Sequence, residues 1–130
     1  MKRIVIIDDD PMYRLIVKHL IQKIDKSVVV SEYENGADAI AGLSAIPPAE
    51  WPHVVFLDIN MPIVDGWQFL SEAADCMPQL ATHSRIYMLS TSIDSRDRER
   101  AESIPAIREY ICKPVSPEKL RSITDMLSVA

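Results

Sequence analysis

Short apolar runs, separated by amphipathic or turn-rich stretches, recur along the chain. The first run, residues 3–7, is continuous and rich in β-branched side chains, which is typical of a strand buried on both faces of a sheet. Further runs of this kind predict four more strands. The predicted strands are residues 3–7, 28–30, 53–57, 86–89 and 110–112.

Helical signals fill the intervals between these strands. Met12, Ile16, Leu20 and Ile24 recur at helical spacing and, with Pro11 tolerated in a first turn, predict a first helix. The proline-rich residues 46–52 are predicted as loop, because proline removes backbone donors and fixes φ. The other predicted helices are residues 37–43, 67–76 and 95–104 and a last helix that begins near Ser116.

Strict alternation of strands with helices implies right-handed crossovers and a parallel sheet that is covered by helices on both faces. We therefore expect a doubly wound α/β fold with five strands and five helices. No repeat or linker interrupts the pattern, so residues 1–130 are expected to form a single domain.

The composition is that of a soluble globular protein, with 48% hydrophobic and 25% charged residues. The formal net charge of -5 disfavours direct binding to nucleic acid or to an anionic membrane. No apolar run approaches the length of a membrane span, and Asp8 interrupts the first run too early for a signal peptide. We therefore expect a cytoplasmic protein, in which Cys76 and Cys112 are reduced and largely buried thiols.

Polar and charged residues directly follow several of the predicted strands. In parallel α/β sheets, function collects where the carboxyl ends of the strands meet. Residues from four strands should therefore converge on one edge and bring carboxylates, a hydroxyl and an amine together. These residues are Asp8, Asp9 and Asp10 after the first strand, Asp58 after the third, Ser90 after the fourth and Lys113 after the fifth.

This combination of side chains suits phosphoryl chemistry with a metal ion. Clustered carboxylates repel one another unless a cation lies among them, and Mg2+ prefers oxygen ligands and keeps several waters. A carboxylate such as Asp58 can act as a nucleophile and accept a phosphoryl group as an acyl phosphate. Ser90 and Lys113 are suited to stabilising the equatorial oxygens of the transferring group.

Each of these residues also has a purely structural interpretation. A carboxylate after a strand is often a helix N-cap, and Asp10 before Pro11 fits that role. Asp58 alone could be a turn residue, and Ser90 or Lys113 alone carries little information. Independent structural roles do not explain why an acid, a hydroxyl and an amine each follow a different strand, so the joint functional interpretation is favoured.

Together these residues resemble a known family, the response-regulator receiver domains. The resemblance covers the whole chain, and its most specific part is the turn from Asp58 to Gly66 combined with Lys113-Pro114. It implies the flavodoxin-like strand order 2-1-3-4-5, which is known from a chemotaxis receiver. The matching residues are Asp8-Asp9, Asp58 in Leu57-Asp58-Ile59-Asn60-Met61-Pro62-Ile63-Val64-Asp65-Gly66, Ser90 and Lys113-Pro114.

The resemblance implies a phosphorylation site and a metal site. Asp58 would be the phosphorylated residue. Asp9 and Asp58 would bind Mg2+ directly, with the backbone carbonyl of Asn60 as a third protein ligand. Asp8 would lie beside them and act through a metal-bound water.

The resemblance also implies a switch. Ser90 and Lys113 would contact the phosphoryl group, and the Lys113–Pro114 bond would be cis. Tyr110 would occupy the aromatic switch position and would turn inward from a more exposed rotamer as the Ser90 hydroxyl is drawn toward the phosphoryl group.

As a member of this family, the chain would receive its phosphoryl group from a sensor histidine kinase or a histidine phosphotransfer protein. It would be a signalling phospho-acceptor that catalyses only its own phosphorylation and dephosphorylation. Its output would be a switched protein-interaction surface for a downstream protein that the sequence does not name.

Three positions depart from the commoner family pattern. Ser90 replaces threonine but keeps the hydroxyl, and Ala106 stands where many relatives carry glycine. Ser92 lies where side-chain size affects the access of an attacking water, so the lifetime of the phosphorylated state stays open.

Three other interpretations compete with that of a phosphorylated receiver. A haloacid-dehalogenase phosphohydrolase needs an acid where Asn60 stands, and a flavin carrier needs a phosphate-binding loop where Asp8 and Asp9 stand. The alternative that stays open is a receiver-like interaction module that is not phosphorylated. Such modules tend to lose an acidic residue or the lysine, whereas this chain keeps them all.

Overall fold

A five-stranded parallel sheet lies at the centre of the computed structural model, which describes residues 1–128. The strands are β1 (Arg3–Ile7), β2 (Val29–Tyr33), β3 (Val54–Asp58), β4 (Arg85–Ser90) and β5 (Ile107–Cys112). They lie in the order β2-β1-β3-β4-β5, with every neighbouring pair parallel. This is the doubly wound arrangement that the alternation of elements predicts, in the flavodoxin-like order that the family resemblance implies.

Six α-helices cover the sheet within residues 1–128, one more than the sequence predicted. They are α1 (Pro11–Ile24), α2 (Gly36–Ser44), α3 (Gly66–Cys76), α4 (Leu80–His83), α5 (Ser95–Glu102) and α6 (Pro117–Asp125). The additional helix, α4, is a single turn between α3 and β4. The segment predicted as loop contains a 3-10 turn at Pro48–Glu50, because the φ fixed by proline also suits the start of a helical turn.

Alternate residues of the central strands point to opposite faces of the sheet and build two cores. Leu57 lies in the core beneath α2, α3 and α5, whereas Phe56 lies in the core beneath α1 and α6. Every position of β3 is buried, which explains its continuous apolar sequence. The same burial fixes the position of Asp58 at the end of that strand.

The predicted first helix is confirmed as α1, but only part of its apolar spacing faces the core. Met12 and Ile16 are 62% and 48% exposed, whereas Val17 and Ile21 are buried against the sheet. A strict four-residue spacing drifts around a helix of 3.6 residues per turn, and the stripe that faces the core begins instead at Tyr13. Apolar side chains are thereby left exposed on the first two turns of α1.

The expectation that both cysteines are buried is also wrong. Cys76 and Cys112 are free thiols and both are exposed. Cys76 is the last residue of α3 and Cys112 is the last residue of β5, where the core no longer covers the side chain.

No helix within residues 1–128 is long and apolar enough to span a bilayer.

The charged segment that was predicted as a solvated helix forms α5. Asp94 caps its amino end by accepting a hydrogen bond from the backbone N–H of Arg96 at 2.9 Å. Ala101 is the one buried residue of the helix, so most of α5 faces solvent. This helix therefore contributes little apolar surface to the core beside β4 and β5.

Candidate functional site

The carboxyl ends of four strands meet at one edge of the sheet, as expected. Asp58 is the last residue of β3 and Ser90 the last residue of β4, whereas Asp8 and Lys113 directly follow β1 and β5. Lys113 donates its backbone N–H to the carbonyl of Ser90 at 2.8 Å. The parallel topology therefore brings together residues that are up to 105 positions apart in the chain.

Three carboxylates form an acidic cluster at this edge. One carboxylate oxygen from each of Asp8, Asp9 and Asp58 lies within 4.8 Å of the others. Asp8 and Asp58 are buried, at 1% and 7% exposed, whereas Asp9 is exposed to solvent. Hard oxygen donors at this spacing, open to water on one side, fit the preferences of Mg2+.

Both oxygens of the Asp8 carboxylate already have partners. Oδ1 accepts a hydrogen bond from the backbone N–H of Asp10 at 2.9 Å, and Oδ2 accepts one from Lys113 Nζ at 2.6 Å. Within residues 1–128, Asp9 has no hydrogen-bond or ion-pair partner. Asp9 is therefore better placed than Asp8 to bind a metal ion directly.

Asp10 has a structural role, which confirms the capping interpretation of this residue. Its carboxylate accepts hydrogen bonds from the backbone N–H groups of Met12 at 3.0 Å and Tyr13 at 3.3 Å. These bonds satisfy donors that the first turn of a helix leaves unpaired. Of the three consecutive aspartates, the cluster thus includes the first two and the third caps α1.

Lys113 is the cation that contacts the carboxylates of Asp8 and Asp58. Its side chain is largely buried, and Nζ lies 3.5 Å from Asp58 Oδ1 as well as 2.6 Å from Asp8 Oδ2. Burial alone would lower the pKa of Lys113, but the hydrogen bond to Asp8 and the charge of Asp58 raise it above its ordinary value. The Lys113–Pro114 peptide bond is cis, which confirms that prediction.

One ammonium does not balance three carboxylates. Burial first, and then the charges of Asp8 and Asp9, raise the pKa of Asp58 to about 6, although Lys113 opposes the shift. Ionised Asp58 is therefore destabilised by its surroundings near neutral pH. A divalent cation among these oxygens would relieve the excess negative charge.

The loop after β3 is folded tightly against Asp58 by a glycine. A Cβ atom added at Gly66 would lie 2.5 Å from the backbone oxygen of Asp58 and 3.0 Å from the Cα of Ile59. Gly66 also donates its backbone N–H to the carbonyl of Ile59 at 2.8 Å. The glycine that ends the sequence motif is thus required because the start of α3 packs directly on the backbone of the site.

The hydroxyl predicted at the end of β4 lies inside the protein. Ser90 is fully buried, and its Oγ accepts a hydrogen bond from the backbone N–H of Ser92 at 2.9 Å. The Ser92 hydroxyl donates to Asp97 at 2.7 Å.

Asn60, the predicted carbonyl ligand, is exposed two residues after Asp58. The metal and phosphoryl contacts of Ser90 and Asn60 stay predictions.

The side chain of Tyr110 adopts a buried rotamer, whereas a more exposed one was expected. Its side chain is buried, at 7% exposed, and its hydroxyl donates to the backbone carbonyl of Ser92 at 3.4 Å. The guanidinium of Arg98 lies over its ring, 4.9 Å from the centroid. The carbonyl on one side and the cation on the other stabilise this buried rotamer, which differs from the more exposed rotamer expected before phosphorylation. The inward turn of Tyr110 on phosphorylation stays a prediction.

Sequence reasoning missed one residue of the site. Lys113 Nζ lies over the ring of Tyr13, 4.5 Å from its centroid. The only signal in the sequence was the position of Tyr13 in the first turn of α1, directly after the aspartates. That position indicates nearness to the strand edge, but it does not indicate a lysine partner 100 residues away.

Comparison with known proteins agrees with this geometry. The family model described as "Response regulator receiver domain" matches residues 4–125. The chain is 30% identical over 122 residues to Chemotaxis protein CheY of Bacillus subtilis, which covers 91% of this chain and 90% of that protein. A solved two-component response regulator from Cytophaga hutchinsonii superposes with a TM-score of 0.85 at 24% identity, covering 100% of this chain and 98% of that one, which bears on the fold.

Several relatives are longer than this chain. It is 33% identical over 126 residues to an uncharacterized response regulatory protein of Vibrio vulnificus, covering 96% of this chain but 47% of that protein. The chain thus spans about half the length of the first curated relatives it matches. On the family match over nearly its whole length, together with the strand order and the acidic edge, this chain belongs to the response regulator receiver domain family.

Proposed function

We propose that this chain is the phospho-acceptor of a two-component or phosphorelay system and that Asp58 receives the phosphoryl group from a phosphohistidine. One observation carries the proposal. The Asp58 carboxylate is buried at the strand edge, within 4.8 Å of the Asp8 and Asp9 carboxylates and 3.5 Å from Lys113 Nζ. A nucleophile, a metal-binding oxygen set and a cation for phosphoryl oxygens are thus within reach of one another.

In the proposed reaction, a carboxylate oxygen of Asp58 attacks the phosphorus of a phosphohistidine on the donor protein. The new O–P bond forms as the P–N bond breaks, and the imidazole leaves with the electron pair of the broken bond. Lys113 contributes positive charge to the phosphoryl oxygens, and the Ser90 hydroxyl donates a hydrogen bond to one of them. The product is an acyl phosphate at Asp58, which water later hydrolyses to free phosphate.

The residues of the acidic cluster fit Mg2+ as the resident cation. Asp9 and Asp58 would bind it directly with the backbone carbonyl of Asn60, and Asp8 would act through a bound water. When bound, the ion would offset the negative charge that the cluster and the phosphoryl group share. Asp8 supports this arrangement because the hydrogen bond from the Asp10 backbone N–H to Oδ1 keeps its carboxylate beside the cluster, whereas Oδ2 can exchange Lys113 for another partner.

An exposed apolar rim beside the site supports a protein as the phosphoryl donor. Met12, Leu15 and Ile16 are exposed on the first turns of α1. Ile63 and Ile93 are exposed on the loops that follow β3 and β4, at the same edge of the sheet. Large apolar side chains gathered around a reactive edge indicate contact with another protein. We propose that this rim contacts the sensor histidine kinase or histidine phosphotransfer protein.

The proposed output is a change of surface rather than turnover of an external substrate. The chain would act in the cytoplasm as one receiver domain over residues 1–130 and would catalyse only its own phosphorylation and dephosphorylation. Phosphorylation would draw the Ser90 hydroxyl toward the phosphoryl group and away from the Ser92 backbone N–H. The segment that carries Ser92 and α5, and with it the contact to Tyr110, would then be released. The downstream protein would bind the altered surface at α5.

Phosphotransfer profiling tests this proposal. The purified protein is mixed with each autophosphorylated histidine kinase of the source organism, and transfer is measured at short times. We expect rapid transfer from one or a few kinases to the wild type and none to Asp58→Asn. A chain that takes no phosphoryl group from any kinase or phosphotransfer protein would instead be the unphosphorylated interaction module.

A further inference from the structure

A single aromatic side chain contacts the segment of Lys113 in two ways. The Lys113 ammonium lies on the face of the Tyr13 ring, 4.5 Å from the centroid. The Tyr13 hydroxyl accepts a hydrogen bond from the backbone N–H of Val115 at 3.2 Å. Tyr13 therefore binds both the side-chain end of Lys113 and the backbone two residues further on.

The position of Tyr13 is fixed by the rest of the molecule. Its backbone N–H donates to Asp10 in the capped first turn of α1, and its side chain packs against the core beneath α1 and α6. A neutral ring attracts an ammonium through its π face without adding to the negative charge of the site. This separates the Tyr13 contact from the contacts of Lys113 with Asp8 and Asp58, which are both ion pairs.

The Asp8 contact cannot stay unchanged during the proposed reaction. Lys113 Nζ is bound to Asp8 Oδ2 at 2.6 Å in this structure and lies further from Asp58, at 3.5 Å. If Asp8 turns to a metal-bound water and Lys113 turns to the phosphoryl oxygens, that ion pair weakens. The Tyr13 ring competes for neither the metal nor the phosphoryl group, so its contact with the ammonium can persist throughout.

We infer that Tyr13 is a positioning residue, whose ring keeps the Lys113 ammonium within reach of Asp58 while Asp8 exchanges partners. The inference rests on the proposed phospho-acceptor function. The face of the Tyr13 ring is responsible for positioning the ammonium. The Tyr13 hydroxyl has a secondary role, which is to hold the backbone at Val115.

Two substitutions at Tyr13 separate the ring from the hydroxyl. Tyr13→Phe keeps the ring and removes the hydroxyl, whereas Tyr13→Leu keeps apolar bulk and removes the ring. Tyr33→Leu is the control, because Tyr33 is also partly buried but packs in the opposite core. The rate of phosphorylation by acetyl phosphate at saturating Mg2+, the Mg2+ dissociation constant and the NMR shift of the Lys113 Cε protons are measured for each.

We expect Tyr13→Leu to slow phosphorylation by about ten-fold and Tyr13→Phe by less than about three-fold. The Mg2+ dissociation constant should stay within about two-fold of wild type in both variants, because the ring contacts Lys113 and not the metal-binding oxygens. The upfield ring-current shift of the Lys113 Cε protons should persist in Tyr13→Phe and vanish in Tyr13→Leu. Tyr33→Leu should change neither the rate nor the shift.

Three results would overturn the inference: an unchanged rate in Tyr13→Leu, an equal slowing in Tyr13→Phe, or a parallel loss of rate and Mg2+ affinity in Tyr13→Leu. The last would mean that the ring only supports the fold. If the wild type itself takes no phosphoryl group, the proposed function fails and the positioning role fails with it. The NMR shift still decides separately whether the ring contacts Lys113 in solution.

Discussion

The ammonium of Lys113 is bound to Asp8, with Nζ 2.6 Å from Oδ2. This pairing leaves Asp58 with a longer contact of 3.5 Å to the same ammonium, although Asp58 is the proposed nucleophile. The buried Asp58 carboxylate is consequently poorly compensated, and its pKa is raised to about 6. Asp58 is thus a buried carboxylate whose ionised form an additional positive charge would stabilise.

The stability of the metal-free protein should reflect this poorly compensated charge. Because the pKa of Asp58 is about 6 when folded and about 4 when unfolded, the folded state binds an additional proton between these pH values. The free energy of unfolding therefore falls as pH rises through this window. Asp58→Asn should raise that free energy at pH 7 by about 1–2 kcal/mol, after allowance for solvent screening.

Urea unfolding in the presence of EDTA measures this effect. The stabilisation by Asp58→Asn should shrink as pH falls from 7 and disappear near pH 4. Asp75→Asn, at an exposed position on α3, is the matched control and should show no such trend. A pH-independent destabilisation by Asp58→Asn would contradict the electrostatic account.

Magnesium binding should distinguish two adjacent aspartates. Asp9→Asn should weaken Mg2+ binding by about ten-fold or more, whereas Asp10→Asn should change it by less than about two-fold. Each substitution removes one negative charge, and asparagine preserves the N-cap that Asp10 provides, so the contrast reports direct ligation. Equal losses in a calorimetric titration would show that Asp9 is not a ligand.

Substitution of the glycine behind the site should be costly. Gly66→Ala should lower the free energy of unfolding by about 1–3 kcal/mol, because the new Cβ meets backbone atoms of Asp58 and Ile59 that cannot move independently. Gly42→Ala is the control, because the atoms nearest to its Cβ belong to the end of the Tyr33 side chain, which can move, and alanine favours the helix. Denaturant unfolding that ranks Gly42→Ala as the more damaging change would contradict this assignment.

The switch prediction concerns Ser90 and Tyr110. In wild-type protein, a beryllofluoride mimic of the phosphoryl group should shift NMR signals around Tyr110, because movement of Ser90 releases the Ser92 backbone that holds the Tyr110 hydroxyl. Ser90→Ala should still bind the mimic, but the Tyr110 signals should stay close to those of the free protein. Equal shifts in both proteins would mean that the coupling does not pass through Ser90.

The convergence of Asp8, Asp58, Ser90 and Lys113 could be predicted from the sequence because it depends on backbone topology, whereas the strand order was implied by the family resemblance. Parallel strands place their carboxyl ends together whatever the side chains are. The features that the sequence did not predict depend instead on how side chains pack across the fold. The contact of Tyr13 with Lys113 is an example, because it joins residues 100 positions apart that carry no mutual signal.

Local exposure was misjudged for the same reason. The apolar residues Met12 and Ile16 fit a helical stripe, but the orientation of α1 is set by Val17 and Ile21 against the sheet. Cys76 and Cys112 have the chemistry of core residues, yet they lie at the ends of their elements, where the core stops. Periodicity predicts that a helix exists. It does not fix which face of the helix is buried, because that depends on the elements that pack against it.

Phosphorylation of Asp58 is the central claim, and intact-mass analysis after incubation with acetyl phosphate and Mg2+ tests it most directly. Wild-type protein and Asp75→Asn should each gain the mass of one phosphoryl group, and EDTA should prevent the gain. Asp58→Asn should gain none, because the amide cannot act as the nucleophile. Full labelling of Asp58→Asn, or an unlabelled wild type, would contradict the account.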